Sequence, residues 1–590
     1  MTAARRIAPG SSEPETDATP EPGADGIEPG RRLIRIGDDR GASLAERVAA
    51  RFHRLTWGTP LHALRLRGRF PLKLLGVPRD PIAGDRETGL DIIDGEIGRG
   101  RERTDTATLD FAATGRSSGF ADYLQGFAWL RDLAASGPRA QAAPVAEALT
   151  RRWLDRHAAA VDDAGWRADL WGRRILAWTA HAPLILSSSD LVYRSSVLNT
   201  MARGARHLDR SAEKAPTGLP RVAAYAGSIA AGMLIPGGEP RLLYGEQGIA
   251  KALGQAVHSD GGIVSRSPVE LAELVELLAQ LIAVYDECRR EVPLAIAQAL
   301  ARAVPALLGV TLGDGALSSW QGGGPLSADR VARTIAASGI RTRPLRQSRE
   351  WGFQRLAGGA TIVVADCAPP PASRLARGGC ASTLAFELSD GPHRIVVNCG
   401  GDRPWGGLPH AIAEALRTSA AHSTLILSDS NSTAIHADGS LGKGVTLVEL
   451  DRQEQESASR IEATHDGYVR RFGLKHCRKL MLSADGRELG GEDVLLPAGV
   501  RKSAVPIGFA LRFHLGPGVE PTPTADGLGA LLRIDGGPLW QFRCRGGSLV
   551  IEESLSIDGR GRPVAASQLV VSGETPAGGT SISWALKRAG

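Results

Sequence analysis

The chain has 590 residues, too many for one hydrophobic core, so two or three domains are expected. With 43% hydrophobic and 23% charged residues, its composition is that of an ordinary globular protein, not of a disordered, collagenous or membrane-embedded one. A formal charge of +6 is small for this length: it gives slight support for an anionic partner and none for nucleic acid, whose binding motifs are not seen.

The chain opens on a segment rich in Pro, Gly, Ser and Glu. Residues 1–42 read as a disordered tail. Arg5-Arg6 has no apolar run after it, so neither a secretory leader, a twin-arginine leader nor a transmembrane helix is expected. Six scattered cysteines without a C-x-x-C pair argue against a zinc ribbon or disulfide framework and fit a reducing compartment. Ser43-Leu44-Ala45-Glu46 has capping-box spacing and predicts a helix through Phe52.

From about Phe120 to Val310 the periodicity is helical. Trp129, Trp166, Trp171 and Trp178 fall at helical spacing and read as core more readily than as sugar-stacking platforms. Ser267-Pro268-Val269-Glu270 is a capping box with proline at the first helical position, where its missing N–H costs nothing. Successive helical hairpins predict an α/α toroid over residues 43–325. After Gly313 the composition shifts to Gly and Ser. From about Arg341 short strands with Gly/Asp turns predict a large antiparallel β-sandwich within residues 326–590. The fold class is therefore multidomain, α then β, with a cleft between the two as the natural ligand site.

Gly378–Gly400 is the most telling stretch of the second half. Leu384, Phe386 and Leu388 alternate with polar or small residues, as in a half-buried strand. Ser389-Asp390-Gly391-Pro392 supplies the turn, and Arg394 to Cys399 runs back.

These residues resemble the heparinase II/III-like polysaccharide lyases. The resemblance covers roughly residues 120–590 and is carried by DGGIVSRSP (260–268), STLAFELSDGPHRIVVNCGG (382–401), AAHSTLILSDSNST (420–433) and RFHLGPGVE (512–520). Leu384-Ala385-Phe386-Glu387-Leu388 matches the second half of the family's strand motif, and Ala421-His422-Ser423-Thr424 its Ala-His-Asn/Ser-Thr strand start. The resemblance implies β-elimination on an acidic, uronate-containing polysaccharide or oligosaccharide. Such chemistry needs a cation against the uronate carboxylate, a base and an acid. The sequence departs from the family at the residues that supply these. The histidines and aspartate of the strand motif fall on Gly378 to Ser382, the Tyr position on Glu270, and the toroid Asn-His pair on Leu219-Pro220.

Candidate catalytic residues are accordingly His422, Arg266, Tyr225 and Glu270, with Arg221, Cys380 and Glu387 as substrate contacts; no metal or cofactor is expected. His422 either faces the cleft or bonds a backbone carbonyl at a strand edge. Glu270 is either a desolvated base or the acid of its capping box, bonding the Ser267 N–H, and the capping role is favoured. Arg266 either clamps a carboxylate or braces a loop. Tyr225 and Arg221, one turn apart, either act as acid/base and clamp or belong to the helix core. Cys380 is a thiolate candidate, with a buried small hydrophobe the better reading. His465-Asp466 reads as a structural turn. Two functions stand: a lyase with a rearranged catalytic set, or a non-catalytic carbohydrate-binding or scaffold protein of the same fold. The cysteines and N-terminus favour the cytoplasm, the resemblance the periplasm.

Overall fold

The computed structural model describes residues 27–35 and 57–589, apart from 58, 69–70, 72, 160, 163, 373–374, 376–377, 404, 499–504 and 577. The helix expected from Ser43 lies outside the described residues. So does most of the expected tail, but Gly30–Arg35 does not. It forms a strand, pairing antiparallel with Leu447–Glu454. Its Ile34 is buried in the sandwich core, which gives this segment an apolar anchor that its polar neighbours hide.

The first half is an array of antiparallel helices, as the periodicity predicts. Leu219–Leu234 is its most buried member and packs against Ala168–Ala180 and Glu239–Ala256. Glycine permits this close crossing: a Cβ on Gly172 would stand 1.9 Å from the Ala223 carbonyl oxygen. Trp153, Trp171 and Trp178 interlock edge-to-face at 5.6–6.0 Å, and Trp129 and Trp166 are as fully buried, so all five tryptophans are core. Within the cluster the fully buried Arg174 stacks on Trp153 at 4.0 Å and donates to the carbonyls of Gln125 and Gly165. Pro268–Glu287 begins as expected, with the Ser267 hydroxyl accepting from the Glu270 N–H. Ala328–Ser338 packs against this helix and Leu294–Gly309, and so extends the helical layer past Ser327.

The second half is two packed sheets. One has nine strands in the order Gly30–Arg35, Leu447–Glu454, Ala458–His465, Leu474–Ser483, Glu488–Pro497, Thr580–Arg588, Trp540–Arg545, Gly529–Ile534 and Val519–Pro523. The other runs Ser548–Ile557, Pro563–Thr575, Ile507–Leu515, His393–Val397, Phe386–Asp390, Thr361–Asp366 and Phe353–Gly358, with Leu425–Leu427 also on Ile507–Leu515. Buried and half-buried residues alternate along Ala458–His465, as one core-facing side requires.

The central hairpin forms, with Asp390 opposite His393, but differs from expectation in one respect. Phe386–Asp390 is buried on both faces, not one. Phe386 and Leu388 enter the sandwich core, while Glu387 and Ser389 face the 313–319 segment, accepting from the Ser319 and Gly313 N–H groups. This segment, which links Leu294–Gly309 to Ala328–Ser338, covers the face that the Thr/Ala/Glu alternation had left polar. Leu384 leaves the strand altogether, at φ +65°.

Candidate functional site

Between the helical layer and the sandwich lies a polar cleft of about 210 Å³. Six arginines and seven carboxylates line it. They come from separate elements: Asp80 from the N-terminal loops, Arg99 from a hairpin, Arg167 and Arg173 from around Ala168–Ala180, Glu270, Glu273 and Glu276 from one face of Pro268–Glu287, and Asp402 and Arg403 from the sandwich. The i, i+3 spacing of the three glutamates puts them on one stripe.

Five of the arginines are already paired. Arg167 spans Asp122 (2.7 Å) and Asp169. Arg173 meets Glu273 at 2.9 Å, Arg330 meets Glu276 at 2.6 Å, and Arg403 meets Glu270 at 2.5 Å across the domain seam. Arg131 meets Asp80 at 2.8 Å, and His181 Nε2 lies 3.2 Å from the same carboxylate. Burial alone would raise the Asp80 carboxyl, but Arg131 and His181 outweigh it and hold it well below the ordinary value. Burial likewise opposes, and Arg173, Arg403, Arg99 and Arg330 outweigh it, at Glu273, which is also lowered. Tyr123 is pushed well above its ordinary value by burial and by Asp132, to which it donates at 2.9 Å. The Asp80 and Glu273 carboxylates are therefore charged at neutral pH, and the Tyr123 phenol is not a ready base.

Of the residues singled out from the sequence, Glu270 reaches this cleft. Its carboxylate pairs with Arg403 instead of closing the capping box on the Ser267 N–H, a correction that follows from the seam bringing a guanidinium within reach. Leu219 and Pro220, where the resemblance places the family's Asn-His pair, also line the cleft and carry no proton-transfer group. The other candidates lie elsewhere. His422 is 1% exposed, and its Nδ1 donates to the Thr418 carbonyl at 2.7 Å. Burial lowers its pKa, so it is neutral and structural here. Arg266 is buried at φ +56°; it donates to the carbonyls of Trp351 (2.9 Å) and Pro369 (2.8 Å) and to Asp366 (2.6 Å). It braces a loop. With Arg221 it borders a separate cavity of about 420 Å³ beside Pro369–Pro371. Arg221 donates to the Ala215 carbonyl and Gln255, and Tyr225 to Glu213, so the two share no partner. Burial and Glu213 raise the Tyr225 phenol, which removes it as a base. Cys380 is buried, accepts from the Gly322 N–H at 3.1 Å, and is pushed up to about 12 by burial. Glu387 is fully buried, takes hydrogen bonds from the Ser319 N–H and from both nitrogens of Asn398, and is raised by burial to about 7. His465 is buried against His476, 3.3 Å away, which in turn bonds Asp493. Among the described residues no cluster of His, Cys, Asp and Glu has the geometry of a metal site.

The charged cleft residues beyond Glu270 were not singled out from the sequence. Arg167 caps, and Asp169 and Arg173 lie within, a helix whose tryptophans dominate its pattern, and the partners that give them meaning lie up to 100 residues away. No local spacing marks them.

The model for the family Heparinase II/III-like, C-terminal, matches residues 340–585. FtsZ-localized protein C of Caulobacter vibrioides is 30% identical over 581 residues, covering 92% of this chain and 95% of that one. The chain belongs to the heparinase II/III-like family. Among solved structures it is similar to heparinase III, with a TM-score of 0.67 at 12% identity over 94% of this chain and 93% of that one. The heparan sulfate lyase HepC of Pedobacter heparinus gives a TM-score of 0.56 at 14% identity over 92% and 88%. At these identities the two share the fold of this heparinase II/III-like protein: helical toroid, then β-sandwich. No helix among the described residues is long and apolar enough to cross a membrane.

Proposed function

We propose that this heparinase II/III-like protein is a non-catalytic scaffold of the lyase fold that acts in the cytoplasm with FtsZ-based assemblies. The observation that carries the reading is the pairing in the cleft. β-Elimination needs a cation free to neutralise the uronate carboxylate, and a base near the neighbouring carbon. Five cleft arginines are instead bound to the protein's own carboxylates. Turning one toward a sugar would strand a partly buried carboxylate, at about 1–3 kcal/mol or more each. The resemblance would place the family's Asn-His pair on Leu219-Pro220, its Tyr on the ion-paired Glu270 and its strand-motif histidines on Gly378 to Ser382, which supports the reading. End-to-end similarity to a protein named for its localisation with FtsZ supplies the setting.

The test has two arms. A fluorescent fusion is expected to co-localise with FtsZ and disperse when FtsZ is depleted. Purified protein with a panel of uronate polymers is expected to give no rise in ultraviolet absorbance from unsaturated product. A diffuse fusion, or product formation, overturns the proposal.

A second reading is a lyase on an acidic polysaccharide with a rearranged set. It is favoured by the number of arginines in the cleft and by His181 beside Asp80. It predicts product in the same assay, lost in His181→Ala.

A further inference from the structure

Glu96–Arg99 and Glu102–Asp105 form a two-stranded hairpin that joins neither large sheet. Isolated two-stranded hairpins are marginal on their own. This one is held by the fully buried Ile97 and by Glu102, which accepts from the Ser117 N–H at 3.0 Å. Its tip turns at Gly100, φ +60°, where a Cβ would come within 2.9 Å of Trp405 Cβ. The turn delivers Arg99 between two aromatic faces from different domains: the guanidinium carbon is 5.2 Å from the Tyr123 ring centre and 5.6 Å from that of Trp405. Burial and Arg330 lower the pKa of its guanidinium, and Glu273, Tyr123 and Asp132 offset this only in part.

Two features suggest that this slot is built for more than one occupant. First, Arg99 is a wall shared by the cleft and a neighbouring cavity of about 440 Å³, along with Tyr123, Glu273, Glu276 and Arg330. Arg99 thus stands where the two cavities adjoin at the domain seam. Second, the Trp405 Nε1 is buried without a hydrogen-bond partner; those of Trp171, Trp178 and Trp351 in the core are too, but Trp405 borders the 440 Å³ cavity. A buried indole N–H is normally satisfied, and a peptide carbonyl entering the slot would supply its acceptor.

We propose that the Tyr123–Trp405 slot is a binding site for an arginine side chain of a partner protein, and that Arg99 fills it in the resting molecule. Aromatic faces with carboxylates behind them select a planar, weakly hydrated cation, which favours guanidinium over ammonium. The partner's arginine replaces Arg99, its main chain meets Trp405 Nε1, and the hairpin swings out. The inference rests on the scaffold reading only in that the partner is a protein.

The test uses the full chain with a short arginine–serine peptide, its lysine–serine counterpart, and calorimetry. Arg99→Ala removes the internal competitor and is expected to tighten the arginine peptide by about tenfold. Trp405→Leu in that background is expected to reverse the gain, with Tyr123→Leu as a second variant should the first not fold. Hydrogen exchange over residues 96–105 of the wild-type protein is expected to rise on peptide binding. Equal binding of the lysine peptide, no gain in Arg99→Ala, or unchanged exchange in the hairpin overturns the proposal. If those fail while the fusion still follows FtsZ, the slot is wrong and the scaffold reading stands.

Discussion

The role of Arg266 as a structural brace has a measurable consequence. Its guanidinium donates to the carbonyls of Trp351 and Pro369, pairs with the fully buried Asp366, and lies 4.8 Å from the Phe353 ring centre. Asp366 takes a further bond from the Ser382 hydroxyl at 2.7 Å. Arg266→Met keeps most of the side-chain bulk but leaves a buried carboxylate unpaired and two carbonyls without donors. Removing one partner of a buried ion pair costs about 3–5 kcal/mol. At roughly 2–4 °C per kcal/mol for a domain of this size, the melting temperature should fall by about 6–20 °C. Asp366→Leu in addition removes the stranded charge, so the double variant should recover part of the loss. Thermal unfolding of the two single variants and the double gives the coupling directly. A fall below about 2 °C for Arg266→Met, or strictly additive losses in the double variant, would refute the brace and reopen a role in the adjoining cavity.

Other consequences follow from the same burial. Glu387 has its carboxyl raised by burial from 4.5 to about 7, so the folded protein keeps a proton that the unfolded chain gives up. The stability this contributes is complete below the unfolded value and is lost as pH rises through 7. Glu387→Gln, always neutral, should match wild type in acid and exceed it above pH 7 by about 3 kcal/mol, measured by urea unfolding across pH. Asp493 is held well below its ordinary value: burial raises it, but Arg478 and His476 outweigh that. Its contribution is present above the unfolded value and lost as pH falls. Asp493→Asn should therefore cost about 3–5 kcal/mol at neutral pH, and an unchanged urea midpoint would contradict it. Five of the six cysteines are buried, with Cys380 pushed up to about 12 by burial. Maleimide labelling of native protein at neutral pH, read by mass spectrometry, should modify Cys288 first; early labelling of Cys380 would restore it as a reactive thiol.

The class of fold was legible in the chain's residues, because that information is local. Helical spacing around Trp171 and Trp178, the Ser267-Pro268 helix start and the Phe386–Leu388 alternation are set by neighbours within a few residues. The family motifs sit on such segments and could be read with them. What the sequence alone could not determine was which polar side chains meet. Glu270 looked like the acid of its own capping box until the fold placed Arg403 beside it, 133 residues on. Arg266 read equally as a clamp or a loop brace until the fold closed Trp351, Pro369 and Asp366 around it. Glu387 looked like the polar side of a half-buried strand until the 313–319 segment covered that face. Arg99, Tyr123 and Trp405 carried no signal at all, since their meeting depends on a hairpin, a helix and a sandwich loop converging. Tertiary structure alone decides such contacts, because the burial and the opposite charges that fix a side chain's role come from segments far away in the chain.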